Sequence, residues 1–214
     1  MRRFRDREEA GRELGARLAE RYEGRDDVLV LALPRGGVVV AREVAVALGA
    51  PLDALVVRKL GFPGQDELAI GAIASGGVQV LNEALLSQTG LSTDRVKDVV
   101  ARELAELERR ERLYRGGRPA PDVAGKAVVV VDDGLATGST MLAAVETLRS
   151  QHAEHVVVAV PTAPRQTCEA LARIADDVVC LRRPDPFYAV GLSYEDFAEV
   201  SDSEVRVLLG SSAA

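Results

Sequence analysis

Apolar positions along the chain fall into two regimes, a helical stripe near the start and a series of unbroken apolar runs after it. Over residues 4–22 the positions Phe4, Gly11, Leu14, Leu18 and Tyr22 follow helical spacing, which predicts an amphipathic helix lying on the outside of a sheet. Residues 28–33, VLVLAL, form a continuous apolar run, as a strand buried on both faces requires, and Pro34-Arg35-Gly36-Gly37 ends it. Residues 38–48 predict a helix closed by Gly49 and Pro51, and residues 52–58 a second strand. Between residues 67 and 82 two strand-like segments flank Ser75-Gly76-Gly77-Val78, a hairpin signal that interrupts the parallel pattern. Ser92 stands where it would cap a long helix with the stripe Val96, Val99, Val100, Leu104 and Leu107, which fades into a Gly/Pro-rich connector over 116–125. Residues 127–131, 156–160 and 178–181 are three further buried strands, separated by helices near 139–151 and 164–175.

Such alternation predicts an α/β fold, a mostly parallel sheet flanked by helices on both faces with an inserted β-hairpin. One domain spans 1–214. Its core is expected over about 26–185, the inserted hairpin or lid over about 59–90, and a small C-terminal hood or flank over about 186–214. That last stretch holds aromatics, a break at Gly191, and the capping run Ser201-Asp202-Ser203-Glu204 ahead of an apolar helix. With 47% apolar and 28% charged residues the composition is that of a folded domain. The net charge of -6 offers no general attraction for nucleic acid or anionic lipid, so neither is expected as a partner and any anion site must be local. Cys168 and Cys180, the polar start and the lack of a run of ~20 apolar residues lead us to expect a cytoplasmic protein without a structural disulfide or membrane span. His152 and His155 with the two cysteines lack the spacing of a zinc set, and the P-loop, dinucleotide and nucleophile-elbow motifs do not occur.

The strongest chemistry lies in residues 128–140, VVVVDDGLATGST, a buried strand, two carboxylates and a small-residue loop opening a helix. Ligands sit at the carboxyl ends of parallel strands, so Asp132 and Asp133 face a ligand crevice. Ala136, Thr137, Gly138, Ser139 and Thr140 offer backbone N–H groups at a helix N-terminus and three hydroxyls, which together favour a phosphate dianion. The carboxylates accept hydrogen bonds from vicinal hydroxyls such as those of ribose. A plain Asp-Asp-Gly turn would account for one aspartate and leave the other unexplained.

This run resembles the 5-phosphoribosyl-1-diphosphate signature of type I phosphoribosyltransferases. The resemblance implies that Asp132 and Asp133 hold the ribose hydroxyls and that residues 136–140 hold the 5-phosphate. It further implies that Pro34-Arg35-Gly36-Gly37 is the diphosphate loop, with Arg35 as its basic side chain and Gly36 and Gly37 allowing close backbone approach. Lys59, ahead of the inserted hairpin, is a candidate catalytic residue that contacts the diphosphate as a mobile loop closes over it, and Phe187 or Tyr188 is a candidate for stacking on the acceptor. Mg²⁺ is implied as cofactor, arriving with the substrate, with Asp132 and Asp133 as its candidate protein ligands. Enzymes of the family acting on 6-oxopurines usually carry an aspartate where this chain has Ala136, so the implied acceptor is a nucleobase of another class. Similar enzymes are often homodimers. Two rivals remain: a non-catalytic sensor of a phosphoribosyl ligand or nucleotide with the same fold, and a phosphatase using Asp132, for which no further acidic metal ligands are found.

Overall fold

The valine-rich runs form the centre of the protein. The computed structural model describes residues 2–210, and of residues 65–67, 83 and 84 the backbone alone. The chain runs α1 (Arg7–Tyr22), β1 (Val28–Ala32), α2 (Gly36–Leu48), β2 (Leu52–Ala54), β3 (Val57–Phe62), β4 (Gln65–Ala74), β5 (Val78–Leu81), α3 (Glu83–Thr89) and α4 (Thr93–Arg115). It continues through β6 (Ala127–Val131), α5 (Ser139–Ser150), β7 (His155–Thr162), α6 (Arg165–Leu171), β8 (Asp177–Arg182), a 3₁₀ turn (Val190–Ser193) and α7 (Asp202–Gly210). Five strands form a parallel sheet in the order β2-β1-β6-β7-β8, and the remaining three an antiparallel sheet in the order β3-β4-β5.

Alternation along each central strand explains why both faces of the parallel sheet need cover. Val30, Ala32, Val129 and Val131 pack with Leu14 and Leu18 of α1 and with Val40 and Val44 of α2. Leu29, Leu31, Val128 and Val130 pack on the other face with Met141, Val145 and Leu148 of α5. Gly11 lets α1 approach α2, because a Cβ there would lie 2.7 Å from the Val40 carbonyl oxygen.

Several boundaries differ from the sequence reading. Phe4 stands outside α1, which Asp6 caps; it bridges to Tyr194 and is fully buried. The expected strand over 52–58 is two strands in two sheets. Leu55 N–H still bonds to Ala32 of the parallel sheet, whereas Val56 already pairs with Ser75 of the antiparallel one, so the apolar run carries the chain from one sheet to the next. α2 starts at Gly36, two residues early, Ser92 occupies the N-cap of α4 without a side-chain cap bond, and α6 is shorter than expected. The hairpin over 67–82 is the β4–β5 part of a three-stranded sheet, with Leu60, Ile70 and Ile73 fully buried where it packs on the core. The capping box before α7 forms as read: Glu204 N–H donates to Ser201 Oγ at 3.2 Å and Ser201 N–H to Glu204 Oε2 at 2.7 Å. Residues 211–214 of the expected hood lie outside the described residues. Among the described residues no helix is long and apolar enough to cross a membrane.

Candidate functional site

β1 and β6 are neighbours, and the chain leaves them in opposite directions, from β1 out to β2 and from β6 out to β7. A crevice opens at the carboxyl ends of strands that diverge in this way. Pro34-Arg35-Gly36-Gly37 follows β1 and Asp132-Asp133 follows β6, so register alone brings the two motifs together. The fit is close. A Cβ on Gly36 would lie 1.9 Å from Asp133 Oδ2, and one on Gly37 would lie 2.9 Å from Asp132 Cα, so glycine is the residue that lets the loop rest on the acidic pair.

Two helix N-termini open onto this crevice, and neither is closed by its N-cap side chain; in α5 Ser139 N–H makes only a long bond to Thr137 Oγ at 3.5 Å. α2 has Arg35 and α5 has Gly138 at the N-cap; neither receives a side-chain cap bond, and neither carries an acidic residue in its first turn. Three other helices are capped, α1 by Asp6, which accepts from Glu9 N–H at 2.7 Å, α3 by Asn82, which accepts from Leu85 N–H at 3.0 Å, and α7 by Ser201, whereas α4 and α6 lack a side-chain cap bond as well. Uncapped first-turn N–H groups together with the positive dipole end favour an anion. Gly138 supplies the positive φ of +74° that turns the loop into α5. Thr167 Oγ donates to the Ala136 carbonyl at 2.8 Å and steadies the loop from below, while Thr137 and Ser139 lie hydroxyl to hydroxyl at 3.0 Å. The side chains of Ala136, Thr137 and Thr140 are exposed.

Electrostatics mark the acidic pair as unfinished. Burial, and then the neighbouring Asp133 charge, push the Asp132 carboxyl well above its ordinary value. Burial raises Asp133 as well, opposed by Arg7, whose Nε donates to Asp133 Oδ2 at 2.8 Å. Asp133 N–H donates to Asp132 Oδ1 at 2.8 Å. Two carboxylates answered by one guanidinium suit a further cation. Among the described residues no group of three or more His, Cys, Asp or Glu gathers to cage one, so a metal here would draw most of its ligands from substrate and water. Mg²⁺ fits that donor set, being an oxygen-seeking ion that keeps its waters and binds one or two carboxylates with substrate phosphates.

The sequence reading did not single out the residues that close the site. Arg7 comes from α1, Tyr194 donates its hydroxyl to the Asp133 carbonyl, and Phe197 stacks on Tyr194 at 5.0 Å between ring centres. Glu199 pairs with Arg35. Of the expected outer contacts, Arg35 stands exposed at the α2 N-cap. Lys59 lies in β3 and lines a cavity of about 330 Å³ with Gly71, Leu81, Asn82, Ser139 and Glu146. It is thus brought together with Ser139 of the 136–140 segment, and none of Arg35, Gly36 and Gly37 lines that cavity. Phe187 and Tyr188 line a separate cavity of about 170 Å³ with Arg2, Arg3 and Arg182; Tyr188 is 78% exposed. Ser193 in that wall meets Thr162 at 2.9 Å between hydroxyls, one layer away from Gly134.

The sheet order and its flanking helices are those of the type I phosphoribosyltransferase fold. The family model for the phosphoribosyl transferase domain matches residues 4–196, and the chain belongs to that family. Two provisionally named phosphoribosyl transferases from strains of Mycobacterium tuberculosis are 48% identical over 209 residues, covering 98% of this chain and 47% of theirs. The chain therefore spans about half the length of these curated relatives. The crystal structure of TT1426 from Thermus thermophilus is 43% identical and superposes with a TM-score of 0.90, covering 100% of both chains.

Proposed function

We propose that the protein transfers the phosphoribosyl group of 5-phosphoribosyl-1-diphosphate, in the presence of Mg²⁺, to a heterocyclic acceptor other than a 6-oxopurine, and releases diphosphate. One observation carries this reading: two helix N-termini without an N-cap side-chain bond and a half-buried acidic pair meet at a single sheet crevice. A donor with an anion at each end and two hydroxyls between them matches that arrangement group for group. Residues 136–140 take the 5-phosphate, Asp132 and Asp133 the ribose hydroxyls, and Gly36, Gly37 and Arg35 the diphosphate. Bound Mg²⁺ would neutralise charge on the departing diphosphate, with Asp132 and Asp133 as its nearest protein oxygens. The protein's own part is to fix the reacting carbon and favour the charge that develops on it. Ala136 has no carboxylate to offer a purine ring nitrogen, and an aromatic from Phe187 or Tyr188 flanks the acceptor.

Calorimetric titration with 5-phosphoribosyl-1-diphosphate, with and without Mg²⁺, followed by an acceptor screen for diphosphate release, tests the reading. Mg²⁺-dependent binding and release with one acceptor class support it. Binding of nucleoside monophosphates alone, with no release on any acceptor, would replace it with a sensor.

Lys59 has a narrower role in this scheme. Sharing a cavity with Ser139, its ammonium serves the 5-phosphate. Lys59→Ala is expected to weaken ribose 5-phosphate about tenfold, the loss of one charge-assisted contact, and to leave inorganic diphosphate unchanged. Equal weakening of both ligands would remove Lys59 from the phosphate end.

A further inference from the structure

We infer that Arg7 is a diphosphate-binding residue of the site, carried in by the first turn of α1 and held on Asp133 until the donor arrives. This rests on the phosphoribosyl-transfer reading above and assigns that site a cation which no sequence motif indicates. Three contacts fix the guanidinium. Nε donates to Asp133 Oδ2 at 2.8 Å, Nη1 donates to the Ala198 carbonyl at 2.7 Å, and the group lies 3.8 Å over the centre of the Phe197 ring. On its remaining side is the diphosphate loop, since a Cβ on Gly36 would lie 3.0 Å from Arg7 Nε. The side chain is only 11% exposed, so its position is set by packing and not by solvent.

Arg7 therefore stands at the junction of the ribose carboxylates and the free start of α2. With the 5-phosphate on residues 136–140 and the hydroxyls on the acidic pair, the sugar's other anionic end points towards Gly36. Ribose hydroxyls that donate to Asp133 take over the acceptor on which Arg7 Nε now rests. Phe197 and the Ala198 carbonyl keep the guanidinium in place, and its planar fork suits two oxygens of a phosphate group. Arg35 is less well prepared for that role, because it is exposed and already drawn to Glu199. A purely structural ion pair would not need to lie against the glycine that opens α2.

The inference is tested by titrating wild type, Arg7→Gln and Arg7→Lys, all with Mg²⁺ present, with inorganic diphosphate, ribose 5-phosphate and 5-phosphoribosyl-1-diphosphate. Arg7→Gln is expected to weaken the two diphosphate-bearing ligands by roughly 10–100-fold, the loss of a charged hydrogen-bonding partner, and to change ribose 5-phosphate by less than about threefold. Arg7→Lys keeps the charge without the fork and should recover part of the loss. Ribose 5-phosphate weakened as much as diphosphate would show that Arg7 acts only by orienting Asp133, and unchanged diphosphate binding would remove it from the site; both overturn the inference. Should Arg7→Gln unfold, Arg7→Lys decides alone through the ratio of the two ligands. A wild-type protein that binds none of the three ligands refutes phosphoribosyl transfer itself, a result distinct from either outcome for Arg7.

Discussion

Replacing Asp132 and Asp133 together by asparagine should abolish Mg²⁺-dependent binding of 5-phosphoribosyl-1-diphosphate and lower turnover by at least roughly 10²–10³-fold, while Asp132→Asn alone should raise the melting temperature. The two effects have one cause. In the ligand-free protein Asp132 is half-buried beside a second carboxylate, and both its desolvation and that charge push its carboxyl well above the ordinary range. A folded state that holds the proton more tightly than the unfolded chain gains nothing from the ionised form. Below the unfolded value the group is protonated in both states and no penalty exists; as the pH rises through the folded value the charge appears in the crevice and the penalty is complete. Asparagine removes the charge and keeps the shape. Its advantage over wild type should therefore be absent in acid and grow towards neutral pH, each kcal/mol appearing as about 2–4 °C in a chain of this size. Asp133→Asn should show no such gain, because it leaves the Arg7 guanidinium, Asp133's partner at 2.8 Å, without its carboxylate. Melting curves for the three variants at several pH values test this directly. An Asp132→Asn protein no more stable than wild type at neutral pH would show that the pair is not held at a cost for function.

How much of this site the chain discloses depends on whether a residue's partners are local. The loop over residues 136–140 was legible as a candidate anion site because strand, acidic pair, glycine and helix start are consecutive, and each element demands a distinct residue type. The turn over residues 34–37 was legible for the same reason at the end of β1. Arg7 was not, since its partner Asp133 lies 126 positions away and its neighbours Arg5, Asp6, Glu8 and Glu9 read as an ordinary solvated helix face. Phe4 misled for a related reason: it falls in register with the stripe of α1, yet the chain at this point is extended and pairs with Tyr194. The change of sheet between Leu55 and Val56 left no mark because neither glycine nor proline breaks the run, and both sheets ask for buried apolar residues. The fold class was nevertheless secure. Burial on both faces leaves little else for runs such as Val128–Val131 to be than central parallel strands.

Arg115 is the position at which a single change should do most harm to the fold. It ends α4 with its side chain 2% exposed, and it holds together three pieces of chain that share no strand pairing. Nε meets Asp53 Oδ1 at 3.0 Å in β2, Nη1 meets Glu111 Oε1 at 2.5 Å one turn back, and Nη2 donates to the Ala54 carbonyl and to Ser75 Oγ at 3.3 Å. Ser75 opens the turn between β4 and β5 and itself accepts from Val56 N–H at 3.0 Å. The guanidinium thus pins the antiparallel sheet to the parallel one where the chain passes between them. Methionine preserves much of the volume but leaves the Asp53 and Glu111 carboxylates without their guanidinium and the Ala54 carbonyl without its donor, and breaking a buried pair from one side costs about 3–5 kcal/mol. The melting temperature should fall by roughly 6–20 °C at the usual sensitivity for this chain length. Hydrogen exchange should quicken first in β3–β5, the sheet whose Lys59 shares a cavity with Ser139, so on the proposed reading ribose 5-phosphate should weaken along with stability. Adding Asp53→Asn to Arg115→Met should recover part of the loss, because the stranded charge and not the missing volume is then the larger cost. An Arg115→Met protein that melts within about 2 °C of wild type would mean that apolar packing by Leu60, Ile70 and Ile73 suffices to dock the antiparallel sheet.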